Sequence, residues 1–245
     1  MDIRVITVVR NEEYMLPFFL DHYARFASRI YLLDDHSTDL TREITCAISH
    51  YAPIVVLDFP FRRGLNESDI SRAYEMYVRD INHGSRADWV MFPDCDELIH
   101  ADGLTDILTA ARILHCPVIR CQGYTMASKT PPPPYAGVPL TTLLNLGVRE
   151  RRYDKPIIVD PSTTFTIGPG RHTINIDPKL QIFTPGPKLL HYCYLGRDYI
   201  RNRINRNFDR MLDLTDEARE TQRQYRLDRA MSSYDRAMRL RTKVI

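Results

Sequence analysis

"ADWVMFPDCDELI", residues 87–99, is the segment from which the fold can be read. Four apolar residues, Trp89 to Phe92, run directly into Asp94-Cys95-Asp96-Glu97. The run has strand length and no alternation, as in a strand covered on both faces. Three carboxylates in four positions at its end repel one another and resist desolvation. Two aspartates one residue apart can both turn an oxygen toward one divalent cation, which would relieve that repulsion. A hard-oxygen pair of this kind suits Mg²⁺ or Mn²⁺ shared with a diphosphate. An isolated D-x-D is weak evidence, because solvated acidic turns produce the same pattern. What surrounds it decides the reading.

Outward from this segment, the first half of the chain alternates strands with helices. Ile3–Val9, Ile30–Leu33, Ile54–Leu57, Trp89–Phe92 and Val118–Tyr124 read as strands. Helical spacing predicts Glu12–Phe26, with Pro17 near its start or at a kink. It also predicts Leu40–Ser49, capped from Ser37, Thr38 or Asp39, then Asn66–Ile81 and Leu104–Leu114. This alternation predicts an α/β fold with a mostly parallel sheet flanked by helices. Ligands of such sheets bind beyond the carboxyl ends of the strands. The polar clusters fall at those ends. Arg10-Asn11-Glu12 follows the first strand, Asp34-Asp35 the second, Asp58 the third and Asp94–Glu97 the fourth.

The pattern breaks at Lys129–Leu140, "KTPPPPYAGVPL", where four consecutive prolines exclude helix and central strand. This reads as a stiff surface loop bordering a site. Strand-and-turn material follows from Ile157 to Tyr194, and helices from Arg197 onward. We therefore expect a main domain over 1–196, with halves 1–125 and 126–196, and a helical extension over 197–245. The extension carries 13 Lys and Arg against 8 Asp and Glu, whereas the whole chain is only +2. That balance gives no ground for a nucleic-acid partner. A basic helical tail suits an anionic membrane surface, a lipid-linked or polyanionic partner, or a homodimer contact; the plain alternative is a solvated helix face. The five cysteines are odd in number, scattered and without a CxxC pair, which argues against a disulfide framework or structural zinc and for a reducing compartment. The N-terminus reads as a strand rather than a signal peptide, and no apolar run is long enough to span a bilayer. A cytoplasmic protein is expected, with peripheral contact at the inner membrane face through the tail.

"VVRNEEYMLPFFLDHYARF", "IYLLDDHSTDLT" and "DWVMFPDCDELI", in that order, resemble the GT-A fold glycosyltransferases of the family 2-like type. The resemblance covers residues 3–125 well and continues loosely to about residue 200. It implies a Rossmann-like nucleotide-binding sheet and a metal-dependent transfer of sugar from a nucleotide-diphosphate sugar, UDP first, to a hydroxyl acceptor, with inversion. It implies that Val8, Arg10, Asn11 and Glu12 border the nucleotide, and that Asp34 and Asp35 hold the uracil or ribose. Arg72 would lie toward the nucleotide, and Asp94 and Asp96 would engage ribose and metal. A late histidine, His191 of "LLHYCYL", would complete the metal shell, and Lys155 of "YDKPIIVDP" would balance diphosphate charge.

Two departures stand out. His36 occupies a position usually held by a small residue, and no late acidic pair supplies a base. Glu97, Asp154 and His172 are the candidates for that role, with Glu150 behind them. His172 and His191 beside apolar runs also read as hydrogen-bonded core histidines. Other readings are a nucleotidyltransferase, which would want a glycine-rich basic turn after the first strand, a haloacid dehalogenase-type phosphohydrolase, which carries its D-x-D on the first strand, and a non-catalytic GT-A-like scaffold.

Overall fold

The computed structural model describes residues 1–48, 53–61, 67–81, 87–208 and 216–245. The first half runs β1 (Ile3–Val9), α1 (Leu16–Tyr23), β2 (Arg29–Asp34), α2 (Thr41–Ile48), β3 (Ile54–Asp58), α3 (Glu67–Ile81), β4 (Trp89–Met91), β5 (Glu97–His100), α4 (Leu104–Ile113) and β6 (Val118–Ser128). The second half adds α5 (Leu140–Leu143), β7 (Leu146–Arg149), β8 (Lys155–Val159), β9 (Thr166–Ile167), β10 (Ile174–Asn175), β11 (Ile182–Phe183), β12 (Lys188–Leu195), α6 (Arg197–Phe208), α7 (Asp216–Leu240) and β13 (Thr242–Lys243).

The main sheet has the order β13-β7-β6-β8-β4-β1-β2-β3. Its first-half portion, β4-β1-β2-β3, is parallel throughout. β1 and β2 are buried along almost their whole length, which is why their sequences are unbroken apolar runs. β8 enters antiparallel between β4 and β6. β12 then lies beside β6 in parallel and beside β5 in antiparallel register. In that register His191 stands opposite Glu97, and the Tyr192 N–H donates to the Asp96 carbonyl at 2.8 Å. The second half of the chain thereby delivers a histidine to the acidic segment.

The first helix is shorter than its periodicity predicts. Asn11 takes a left-handed conformation (φ 53°), so the chain turns before Leu16. Pro17 sits in the first helical turn, where its missing N–H has no intrahelical acceptor to lose. α1 is locked to the sheet by Tyr23, whose buried hydroxyl donates to the Glu97 carbonyl (3.0 Å) and accepts the Ile99 N–H (2.9 Å). The loop from 129 to 139 is exposed for most of its length, as expected of the proline run, and Tyr14 ties it down through the Pro132 carbonyl at 2.6 Å.

The predicted helical extension folds onto the sheet. Ile200, Tyr234 and Ala237 bury themselves against Ala127 and Tyr194 in a second small core, and β13 pairs with β7. Of the helices predicted from Arg197 onward, the first is described to Phe208; 209–215, like Asn66 and Ser49 at the ends of two other predicted helices, lie outside the described residues. Cys95, Cys116, Cys121 and Cys193 are free thiols. Among the described residues no helix is long and apolar enough to cross a membrane.

Candidate active site at the strand ends

The acidic segment divides into two ion-pair systems, one for each aspartate. Asp94 receives the Arg171 guanidinium at 2.5 Å and the Lys155 ammonium at 2.9 Å. The same Lys155 Nζ lies 2.5 Å from Glu97 Oε1, and Glu97 Oε2 accepts the Asp94 N–H at 3.0 Å. Lys155 and Glu97 are buried, so this is an internal network rather than a surface one. Burial alone would raise the Asp94 pKa, but Arg171 and Lys155 hold it well below the usual carboxylate range. Burial likewise opposes the charged Lys155, and Asp94 and Glu97 outweigh it, raising its pKa. Arg171 reaches Asp94 from a turn after β9, where it takes a left-handed conformation (φ 60°) and lays its guanidinium over the Tyr74 ring.

Asp96 faces a different set. His191 Nε2 is 3.1 Å from its Oδ2, and Arg203 of α6 contacts the same oxygen. Burial again opposes ionisation, and Arg203 and then His191 reverse it, so Asp96 is held charged. Glu12 stands in the same field. Burial pushes its pKa up to about 7, with Arg203 opposing and Asp96 adding to the rise. The Tyr153 ring meets His191 edge-on at 4.9 Å and lies 6.2 Å from His172.

The ends of β1 and β2 form the neighbouring wall. Asp35 is fully buried with Arg10 NH1 3.6 Å from its carboxylate and 3.2 Å from its carbonyl. Asp34 receives Arg42 at 2.5 Å and the Ser37 N–H at 3.1 Å. The Val8, Asn11 and Glu12 N–H groups donate to Tyr74 Oη, Ser37 Oγ and Thr41 Oγ1. Asn11 Oδ1 accepts the Thr38 N–H, and its carbonyl accepts Arg206 of α6 at 2.7 Å.

The structure thus gathers Arg10, Asn11, Glu12, Asp34, Asp35, Asp94, Asp96, Glu97, Lys155 and His191 along one edge, and moves several from their expected posts. Lys155 does not extend toward a diphosphate, because its ammonium is buried between Asp94 and Glu97. Glu97 is its countercharge rather than a free base. Asp154 is held by Arg149 at 2.7 Å and accepts the Gly123 N–H at 2.8 Å, with a lowered pKa that makes it a poor base. Arg72 is exposed, pairs with Asp69 at 3.6 Å and stacks over Phe61. His172 is half-buried beside Arg171; burial and then Lys155 lower its pKa, leaving a neutral imidazole whose Nδ1 has no hydrogen-bond partner among the described residues.

Among the described residues no group of three or more His, Cys, Asp or Glu forms a metal-holding cluster. Asp94 is taken by its own cations. Asp96 and His191 fit one cation once Arg203 leaves the shared carboxylate oxygen and the imidazole is neutral. Two ligands at about 2.1 Å from an octahedral ion stand about 3 Å apart, close to the 3.1 Å between Asp96 Oδ2 and His191 Nε2. One carboxylate and one imidazole, completed by substrate phosphates and water, form a reasonable site for Mn²⁺ or Mg²⁺.

Arg42, Arg171, Arg203 and Arg206 were not anticipated from the sequence. Arg171 lies in "GPGRHT", a turn-forming stretch that marks it as fixed in a loop. Arg203 and Arg206 share a face of α6 through their i, i+3 spacing, a pattern equally typical of a solvated face.

No protein-family profile matches the chain, and no curated protein matches it by sequence. By structure it is similar to TarS of S. aureus, with a TM-score of 0.50 and 16% identity over 89% of this chain; it spans 41% of the length of that protein. Residues 1–349 of TarS in complex with UDP give a TM-score of 0.49 at 16% identity, over 89% of this chain and 68% of that one. Glucosyl-3-phosphoglycerate synthase of Mycobacterium tuberculosis, in complex with Mn²⁺, UDP and glucosyl-3-phosphoglycerate, aligns over 51% of this chain and 44% of that one, with a TM-score of 0.35 and 18% identity. The likeness to TarS is one of fold, and the fold is that of a GT-A glycosyltransferase.

Proposed function

We propose that this chain transfers a sugar from a nucleotide-diphosphate sugar to a hydroxyl acceptor, in the synthesis of a glycan or polysaccharide. The observation that carries the reading is the convergence at one sheet edge. Asp35 follows β2, and Asp94 and Asp96 follow β4, the two parallel strands that flank β1; His191, Arg171 and Arg203 face the last two aspartates from the second half. A GT-A sheet provides that edge for a nucleotide.

In this reading Asp35, with Arg10 behind it, receives the base or ribose, and Asp94, fixed by Arg171 and Lys155, presents a rigid acceptor to the ribose. Asp96 and His191 would hold Mn²⁺ or Mg²⁺. When bound, that ion supplies Lewis-acid neutralisation of the departing diphosphate. Arg203 and Arg206 add fixed positive charge on the same side, where leaving-group charge develops. His172 takes the acceptor proton, since among the described residues it is the base candidate left with an unpartnered neutral ring nitrogen. Direct displacement inverts the anomeric centre; a product with the donor's own configuration rules that out. The acceptor is a glycan, lipid-linked or polyanionic hydroxyl compound, and the basic C-terminal extension over 197–245 is the surface for a membrane or a second copy.

The first test is thermal shift with UDP, the ligand of the TarS complex, and with GDP, with and without Mn²⁺. Metal-dependent stabilisation supports the reading. A nucleotide-sugar screen follows, with Asp96→Ala as control. Full transfer by Asp96→Ala removes the metal assignment, and the absence of any nucleotide effect favours the scaffold alternative.

A further inference from the structure

Arg203 contacts the same carboxylate oxygen of Asp96 that faces His191 Nε2. A divalent cation held by Asp96 and His191 needs that oxygen too. A guanidinium and a divalent ion repel each other and cannot both remain in contact with it. Asp96 is buried, whereas a quarter of the Arg203 side chain is exposed, so the arginine is the group with somewhere to go. One turn further along α6, Arg206 donates to the Asn11 carbonyl at 2.7 Å. That bond pins the helix to the end of β1, so Arg203 can leave Asp96 by a side-chain movement while α6 stays in place.

We propose that Arg203 is a resident counter-ion of Asp96, giving up the carboxylate when a divalent cation binds and passing to the diphosphate that the cation carries. The proposal rests on the donor reading above and adds a residue and an order of events to it. Without donor, Arg203 neutralises a buried aspartate that would otherwise be costly to ionise. With cation and diphosphate together, its planar fork meets phosphate oxygens, for which it has the right geometry. The cation alone must displace Arg203 and gains nothing in return. It therefore binds weakly by itself and tightly with a nucleoside diphosphate, and the coupling is reciprocal.

The test uses the full chain and Arg203→Gln, with thermal melting to confirm folding and Arg203→Met, which also removes the charge, as the alternative if the glutamine variant does not fold. Free Mn²⁺, read by its electron paramagnetic resonance signal, gives the affinity for Mn²⁺ alone. Calorimetry with UDP at saturating Mn²⁺ gives the nucleotide affinity. Arg203→Gln is expected to bind Mn²⁺ alone at least about fivefold more tightly and UDP at least about fivefold more weakly. Arg203→Lys is expected to shift only the UDP affinity. Adding Asp96→Asn to Arg203→Gln should abolish the Mn²⁺ gain. An arginine that only supports the fold would not move the two affinities in opposite directions. Unchanged or weaker Mn²⁺ binding in Arg203→Gln overturns the displacement. If the parent chain binds no nucleoside diphosphate, the donor reading and the diphosphate half fall together, and the Mn²⁺ comparison still decides whether Arg203 competes for Asp96.

Discussion

Replacing Lys155 with Met should expose how the acidic segment is tolerated. The substitution keeps the apolar stem and removes a charge that sits 2.5 Å from Glu97 and 2.9 Å from Asp94. Asp94 keeps Arg171, so most of the damage falls on Glu97, which has no exposed surface and among the described residues retains only the Asp94 N–H. Removing one partner of a buried pair costs roughly 3–5 kcal/mol. At about 2–4 °C per kcal/mol for a chain of this size, the melting temperature should fall by about 6–20 °C. Adding Glu97→Gln removes the stranded charge, and the Gln carbonyl can still accept the Asp94 N–H. The double variant should therefore regain about 2 kcal/mol over Lys155→Met. Urea unfolding of the parent, both single variants and the double variant gives the cycle. A loss below about 1 kcal/mol in Lys155→Met, or a double variant no more stable than that single one, would refute the argument.

Three further outcomes can be checked in the same way. Tyr23→Phe strands the Glu97 carbonyl and the Ile99 N–H inside the core and should cost about 2–3 kcal/mol in urea unfolding, with a loss under about 0.5 kcal/mol arguing that neither bond matters. His22 is pushed down to about 4, chiefly by burial. Its contribution to stability is therefore complete above its unfolded value near 6.5 and declines as pH falls toward 4. That shift sets a ceiling of about 3 kcal/mol, and partial exposure brings the expected loss to about 1–2 kcal/mol. His22→Gln should flatten this dependence between pH 7 and pH 4, and an unchanged slope would assign it to another group. In Gly123→Ala the new Cβ would lie 2.5 Å from the Tyr153 backbone; overpacking predicts a loss of about 1–3 kcal/mol and a lower melting temperature, and an unshifted melt would mean that the 151–153 turn yields freely.

The parallel half of the sheet was legible because burial on both faces leaves a direct mark on composition. Strands such as "IRVITVV" have no other common explanation, and their polar ends announce themselves. Asp35, Asp96 and His191 could be singled out for the same reason, each standing at the edge of an apolar run. The cations opposite them could not. Arg171 meets Asp94 across 77 positions, and nothing local distinguishes it from other loop arginines. Arg203 sits on a helix whose mean composition is that of a solvated surface. Lys155 was noticed but misplaced, because sequence gives proximity to a strand and says nothing of which face a side chain takes when a β-strand begins at it. The repulsion among three carboxylates suggested a missing countercharge. Much of that charge turned out to be the protein's own.

The partners of the acidic segment have a consequence for assembly. β5 waits for β12, some ninety positions later, and residues 94–97 take their compensating charges from positions 155, 171, 191 and 203. During synthesis the carboxylates emerge first and their counter-ions last. Until those later segments arrive, the acidic run is better left in water than driven into a core, and closure across such long loops is slow. The parallel strands β4-β1-β2-β3 can pair early, whereas the acidic edge sets only after residue 203 has been made. If the proposed donor site is right, UDP binding during translation should therefore lag well behind the appearance of protease-resistant α/β structure.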